Sequence, residues 1–144
     1  MQKSRKILGG FFVLIMLVLS AQASEGYKNL FVTITTDNLK QAGMGVAVAG
    51  AFQGAGVKTT VLIGADASHL VLKKGNQEKF GPTGKSIRDM LISLSKNGGT
   101  VMLCGMCASF EEITTEDVIE GAKIVTPSDV AGALLAPSTQ SLSF

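Results

Sequence analysis

The sequence predicts an α/β protein built on a small open parallel sheet flanked by helices. Short apolar, β-branched runs at residues 30–36, 57–63, 100–103 and 123–125 read as strands buried on both faces. Helix-like segments alternate with them, and Gly, Asn or Pro punctuates most junctions. This alternation is that of a doubly covered parallel sheet, whose strand order the pattern leaves open.

The first strand, FVTITT after Leu30, is followed by Asp37 and Asn38, either of which can cap a helix. That helix spans residues 39–55, with Leu39, Met44, Val46, Val48, Ala51 and Phe52 as its expected buried face. Its many alanines and glycines lower helix propensity but permit close packing. Gly54 and Gly56 end it, VKTTVLI forms the second strand, and Gly64 closes that. Residues 66–72 read as a short helix or an edge element. Residues 73–84, rich in Gly and with Pro82, read as a long loop. From Ser86, Ile87, Met90, Leu91 and Leu94 follow the i, i+3, i+4, i+7 spacing of an amphipathic helix, stopped by Asn97-Gly98-Gly99. The third strand, TVML, runs into Cys104-Gly105-Met106-Cys107. Thr114 or Thr115 is placed to cap a short helix over residues 118–121. After the fourth strand, Pro127 and Ser128 open a last helix expected to bury Val130, Leu134 and Leu135. Residues 138–144 read as a loose tail.

The first 23 residues have the form of a secretory signal. Lys3, Arg5 and Lys6 precede an apolar stretch from Ile7 to Leu19, and Ala21 and Ala23 supply an A-x-A cleavage site. The apolar stretch, roughly 13 residues, is short for a membrane span, which needs about 20. The expected mature chain is a single domain over residues 24–144, periplasmic or secreted and free of the membrane after cleavage; the alternative is that the segment stays on as an uncleaved membrane anchor. Three of the 13 basic residues stand in this leader, so the remainder sets ten against 11 acidic residues. Near neutrality, with no long basic run, argues against a nucleic-acid partner.

The chemistry concentrates on Cys104 and Cys107, the only cysteines. A disulfide across C-x-x-C closes too short a loop to add much chain-entropy stabilisation, so the spacing favours chemistry over a staple. Cys104 falls at the carboxyl end of a strand, where parallel α/β sheets collect functional groups. If a helix starts at Gly105, its unpaired amides favour a thiolate. One cysteine could then attack sulfur and the other resolve the product. Metal and cofactor sites are poorly supplied. Zinc commonly takes four ligands, and the pair has only His69 to join it within the chain. Covalent haem needs a histidine where Ala108 stands. The segment Gly81 to Ser86 imitates the end of a phosphate loop, but Lys79 occupies the place of its first glycine. A thioredoxin-like arrangement places its pair after an early strand, whereas this pair lies late. Glu111, Glu112, Glu116, Asp117 and Glu120 read as a solvated acidic region.

Three stretches carry a resemblance over roughly residues 28–136. They are KNLFVTITTDN, GPTGKSIRDMLISLSKNGGTVMLCGMCAS and IEGAKIVTPSDVAGALL. Together they resemble the DsrE/DsrF-like family, the middle stretch most specifically. The resemblance implies a flavodoxin-like sheet, self-association as trimers or hexamers, and sulfur handling. At the position of Cys104 it implies a persulfide-carrying cysteine; Cys107 matches the second cysteine of a CGxC subgroup. The sequence departs from the family in its leader and in Phe110-Glu111-Glu112, where many members carry an arginine-glycine pair. The expected activity is a sulfur carrier or sulfurtransferase using Cys104 and Cys107 without a cofactor or metal. The alternatives are a thiol–disulfide redox protein using the same pair and a non-catalytic oligomeric binding module.

Overall fold

The computed structural model describes residues 26, 28–75 and 77–144. The expected signal segment lies outside the described residues. The elements are β1 (Asn29–Ile34), α1 (Leu39–Gly54), β2 (Lys58–Ile63), a 3₁₀ segment (Ala65–Val71), β3 (Lys79–Phe80), β4 (Lys85–Ser86), α2 (Ile87–Lys96), β5 (Thr100–Cys104), α3 (Gly105–Phe110), β6 (Ala122–Val125), α4 (Pro127–Leu134) and β7 (Thr139–Ser143). Five strands form one parallel sheet in the order β6-β5-β2-β1-β7. This is the α/β architecture expected, flavodoxin-like in its layers.

Parallel register puts Val32, Val61 and Val101 side by side, with Ile34, Ile63 and Leu103 in the next row. All six are essentially inaccessible to water and face α1 and α2. At about 1.5–3 kcal/mol for each large aliphatic side chain fully buried, this layer is the main source of cohesion. On α2, Ile87, Met90, Leu91 and Leu94 are buried as their spacing predicts, and Ser86 caps the helix.

The opposite face holds Phe31, which is fully buried, beside Thr33, Thr60, Leu62 and Met102, which are only partly buried. Gly132 and Ala133 of α4 share a shallow cleft with Thr60, Thr100 and Met102, which puts α4 near the strands' amino ends. Against the expectation that this last helix buries Val130, Leu134 and Leu135, none of its residues is buried. Leu134 is 39% and Leu135 78% exposed. Their i, i+4 or i, i+5 relation to Val130 defines an apolar side, which no further layer covers among the described residues.

Residues 138–144 are not a loose tail. They supply the edge strand β7, paired with β1 from Asn29↔Thr139 to Thr33↔Ser143. Phe144 extends the ladder by donating to Thr33 and accepting from Thr35, and its ring packs against Gly45. Apolar patterning misses this strand because Thr139-Gln140-Ser141-Leu142-Ser143 turns only Leu142 to the core. Backbone pairing with β1, rather than apolar side chains, secures it.

The α1 face also differs from expectation. Ala42, Gly43, Gly45, Val46 and Ala49 turn inward, whereas Met44 and Phe52 are about half exposed. A Cβ on Gly45 would stand 2.9 Å from the Phe144 ring, so the small residues set a close helix-to-sheet approach. Residues 66–72 resolve as the 3₁₀ segment. The long loop contains β3, which pairs with β4 just beyond it in a hairpin, and its Phe80 lies over Gly43. No helix forms at residues 118–121. Val118 instead bridges Leu72, and Ile119 donates to the Val71 carbonyl. Both side chains are buried, so tertiary packing draws the segment out of helical geometry.

Candidate functional site: a thiol pair at a strand end

Cys104 is the last residue of β5 and the N-cap of α3, with φ −55° and ψ 118°. A Cβ at Gly105 would come within 2.5 Å of the Val125 carbonyl oxygen, so glycine lets the new helix start hard against β6. Cys107 follows one turn later. Spacing of i, i+3 brings its side chain to the same side as that of Cys104. Both are free, partly buried thiols.

The surroundings set the two sulfurs apart. Burial opposes ionisation of Cys104, but it is outweighed. The Cys107 thiol donates to its sulfur, the backbone N–H groups of Cys107 and Met106 also favour the anion, and together they hold its pKa below the ordinary cysteine value. Cys107 shifts the other way. The Ala65 N–H favours its anion, as does the Ser68 hydroxyl more weakly. The hydrogen bond to Cys104, burial and the neighbouring negative charge outweigh these donors and raise its pKa. Cys104 is therefore the first to ionise, with Cys107 beside it as a protonated donor.

The second wall comes from β2. Because β2 neighbours β5, with Ile63 opposite Leu103, the chain leaving β2 passes directly by the cysteines. The Ala65 N–H donates to Cys107 Sγ at 3.2 Å. A Cβ on Gly64 would lie 3.2 Å from Cys104 Cβ and 3.4 Å from Cys107 Sγ, closing the space between turn and thiols. Ala65 has φ +49°, a left-handed conformation that costs a non-glycine residue about 1–2 kcal/mol. Ser68, fully buried, donates from its hydroxyl to the Ala65 carbonyl at 2.7 Å. Gly64, Ala65 and Ser68 are the site residues that sequence reasoning missed. Their signal was the carboxyl end of a second strand, but using it required knowing that β2 and β5 are neighbours.

The remaining candidates fall elsewhere. His69 sits in the last turn of the 3₁₀ segment. The Gly81–Ser86 stretch forms the hairpin turn and the α2 cap, not a phosphate cradle. In the acidic region, Thr114 donates to the Asp117 carboxylate through both its N–H and its hydroxyl. Among the described residues, no group of three or more His, Cys, Asp or Glu side chains converges as a metal site. On the outer side of α3, Met106 is 73% and Phe110 90% exposed. They border an open, mainly apolar cleft of about 700 Å³ that continues over Ile124, Val125 and Pro127.

A parallel sheet that presents an acidified thiol and a proton-bearing partner at a strand end defines a small α/β thiol protein. The chain belongs to the DsrE/DsrF-like family, whose model matches residues 28–140. Its fold is similar to the crystal structure of the ychN protein from E. coli. There the TM-score is 0.68 at 22% identity, covering 81% of this chain and 98% of the other. It is also similar to a protein of unknown function from Methanobacterium thermoautotrophicum. That match has a TM-score of 0.65 at 9% identity, with the same 81% and 98% coverage. At these identities the likeness is one of fold. No match is found among curated proteins.

Proposed function

We propose that this chain is an exported sulfur carrier that accepts sulfane sulfur on Cys104 as a persulfide. The observation that carries the reading is the acidified Cys104 sulfur, held by the Cys107 thiol and two backbone amides at the end of β5. The Cys104 thiolate attacks the outer sulfur of a persulfide or polysulfide donor. A sulfur–sulfur bond in the donor breaks, one forms on Cys104, and the donor leaves as its thiolate. The sulfur then passes to an acceptor thiolate. Alternatively, Cys107 attacks the inner sulfur of the persulfide, forming a Cys104–Cys107 disulfide and expelling hydrosulfide, which takes the Cys107 proton. An external dithiol reductant resets that disulfide.

Export is supported by the charged start, apolar run and Ala21/Ala23 site, with cleavage after Ala23. Among the described residues, no helix is long and apolar enough to cross a membrane. Self-association is supported by the half-open sheet face and by the exposed Leu135, Met106 and Phe110. Parallel sheets are ordinarily covered on both faces, and further copies would supply the missing layer. Light scattering on the mature chain should give a trimer or hexamer, and Leu135→Lys should shift it toward monomer.

The chemical test is intact and peptide mass spectrometry after brief polysulfide exposure. The reading requires additions of about 32 Da, one sulfur each, on Cys104. Absence of any addition, with a disulfide cycling readily against dithiols, would move the site to thiol–disulfide exchange.

A further inference from the structure

We propose that Ser68 is a positioning residue for the resolving thiol: by holding the Ala65 carbonyl, it fixes the left-handed turn whose N–H donates to Cys107 Sγ. The inference rests on the sulfur-carrier reading for its purpose, though not for its geometry. Ser68 is fully buried, yet its hydroxyl is committed to a turn rather than to a helix cap or strand. Ala65 is held at φ +49°, a conformation its Cβ disfavours, so an external restraint is needed to keep its N–H aimed at the sulfur. Gly64 leaves little slack on the other side, since a methyl group there would crowd Cys104 Cβ at 3.2 Å and touch Cys107 Sγ at 3.4 Å.

The turn gives the pair an order of events. While Cys104 is a thiolate, Cys107 serves as its donor, and the adjacent negative charge keeps Cys107 protonated. Once Cys104 carries sulfur, its own sulfur no longer bears that charge. Cys107 then keeps the main donor that favours its anion, the Ala65 N–H, which the Ser68 hydroxyl steadies through the Ala65 carbonyl. Its attack on the inner sulfur of the persulfide forms the Cys104–Cys107 bond, breaks the sulfur–sulfur bond to the outer atom and releases hydrosulfide. The elements packed against α3 bring other titratable or charged groups: Asp66 and His69 on the 3₁₀ segment and Lys123 on β6, with Glu111 and Glu112 following α3 itself. The charge weighing on Cys107 is that of Cys104.

The test uses the mature full chain and site-resolved alkylation across pH. In a Cys104→Ser background, Cys107 should ionise at lower pH than in the wild type. Adding Ser68→Ala should move its midpoint back upward, and Ser68→Thr should recover much of the effect. In a Cys107→Ser background, Ser68→Ala should leave the Cys104 midpoint in place. In the otherwise wild-type chain, Ser68→Ala should slow hydrosulfide release from sulfur-loaded protein several-fold without reducing loading. An unchanged Cys107 midpoint in the Ser68→Ala variant would overturn the proposal. If Ser68→Ala fails to fold, amide exchange of Ala65 in the wild type decides: protection in the reduced protein supports the contact, and free exchange overturns it. Failure of Cys104 to take up sulfur would remove the carrier reading, while the Cys107 titration would still decide the role of Ser68.

Discussion

The starts of α2 and α3 follow short strands, but they use their backbone donors differently. At α2, the Ser86 hydroxyl accepts from the Asp89 N–H at 3.1 Å and donates to the Asp89 carboxylate at 2.7 Å. The start of α4 is similar, with Thr126 and Asp129 in a reciprocal capping box, and Asn38 caps α1. At α3 the cap position is Cys104, with no side-chain cap hydrogen bond. There the neighbouring amides favour a sulfur anion. Capped starts use these donors for stability, and the uncapped one leaves them to a thiol. A cysteine placed where Ser, Thr or Asn would ordinarily stand is thus the local departure from good helix design that marks the site.

The sharpest break of this contrast is Cys104→Ser, which puts an ordinary capping residue at α3. It should abolish sulfur loading by mass spectrometry while leaving thermal stability unchanged or slightly raised. Gly105→Ala comes next. Its Cβ would press on the Val125 carbonyl, so β6 or α3 must shift. A loss of about 1–3 kcal/mol in denaturant unfolding is expected, with slower Cys104 alkylation. Cys107→Ala removes the donated S–H, the largest influence favouring the Cys104 thiolate. The Cys104 midpoint should rise, and its alkylation at neutral pH should slow several-fold. Ser86→Ala is the control at a capped start. It should cost about 1 kcal/mol of stability and leave both thiol titrations where they were.

Asp89 adds a pH signature to that control. The Ser86 hydroxyl holds its carboxyl below the ordinary value. Its contribution is therefore present above the unfolded pKa of about 3.9 and is lost as pH falls through the lower folded value. The stability difference between Ser86→Ala and the wild type should accordingly narrow in acid.

The central part of the fold was legible because it follows strong periodicity. The buried quartet of α2, the apolar strands and the CGMC turn at a strand end could all be read from residue spacing. What escaped depends on neighbours distant in sequence. Edge strand β7 is polar and held by backbone bonds to β1. The buried face of α1 is made mostly of small residues, so the pattern places Val46 and Leu39 correctly but assigns Met44, Ala51 and Phe52 to the wrong side. Val118 and Ile119 leave helical geometry to meet the segment after β2. The same limit applies at the site: Cys104 and Cys107 announce themselves by type and spacing, whereas Ala65 and Ser68 join them only through the β2–β5 pairing.

The proposed sulfur chemistry depends on the order in which the two sulfurs ionise. Site-resolved alkylation of the reduced mature protein across pH measures it directly. The expected result is a Cys104 midpoint below the free-cysteine value of about 8.5, with Cys107 following above it. Coincident midpoints at that value, or Cys107 ionising first, would contradict it.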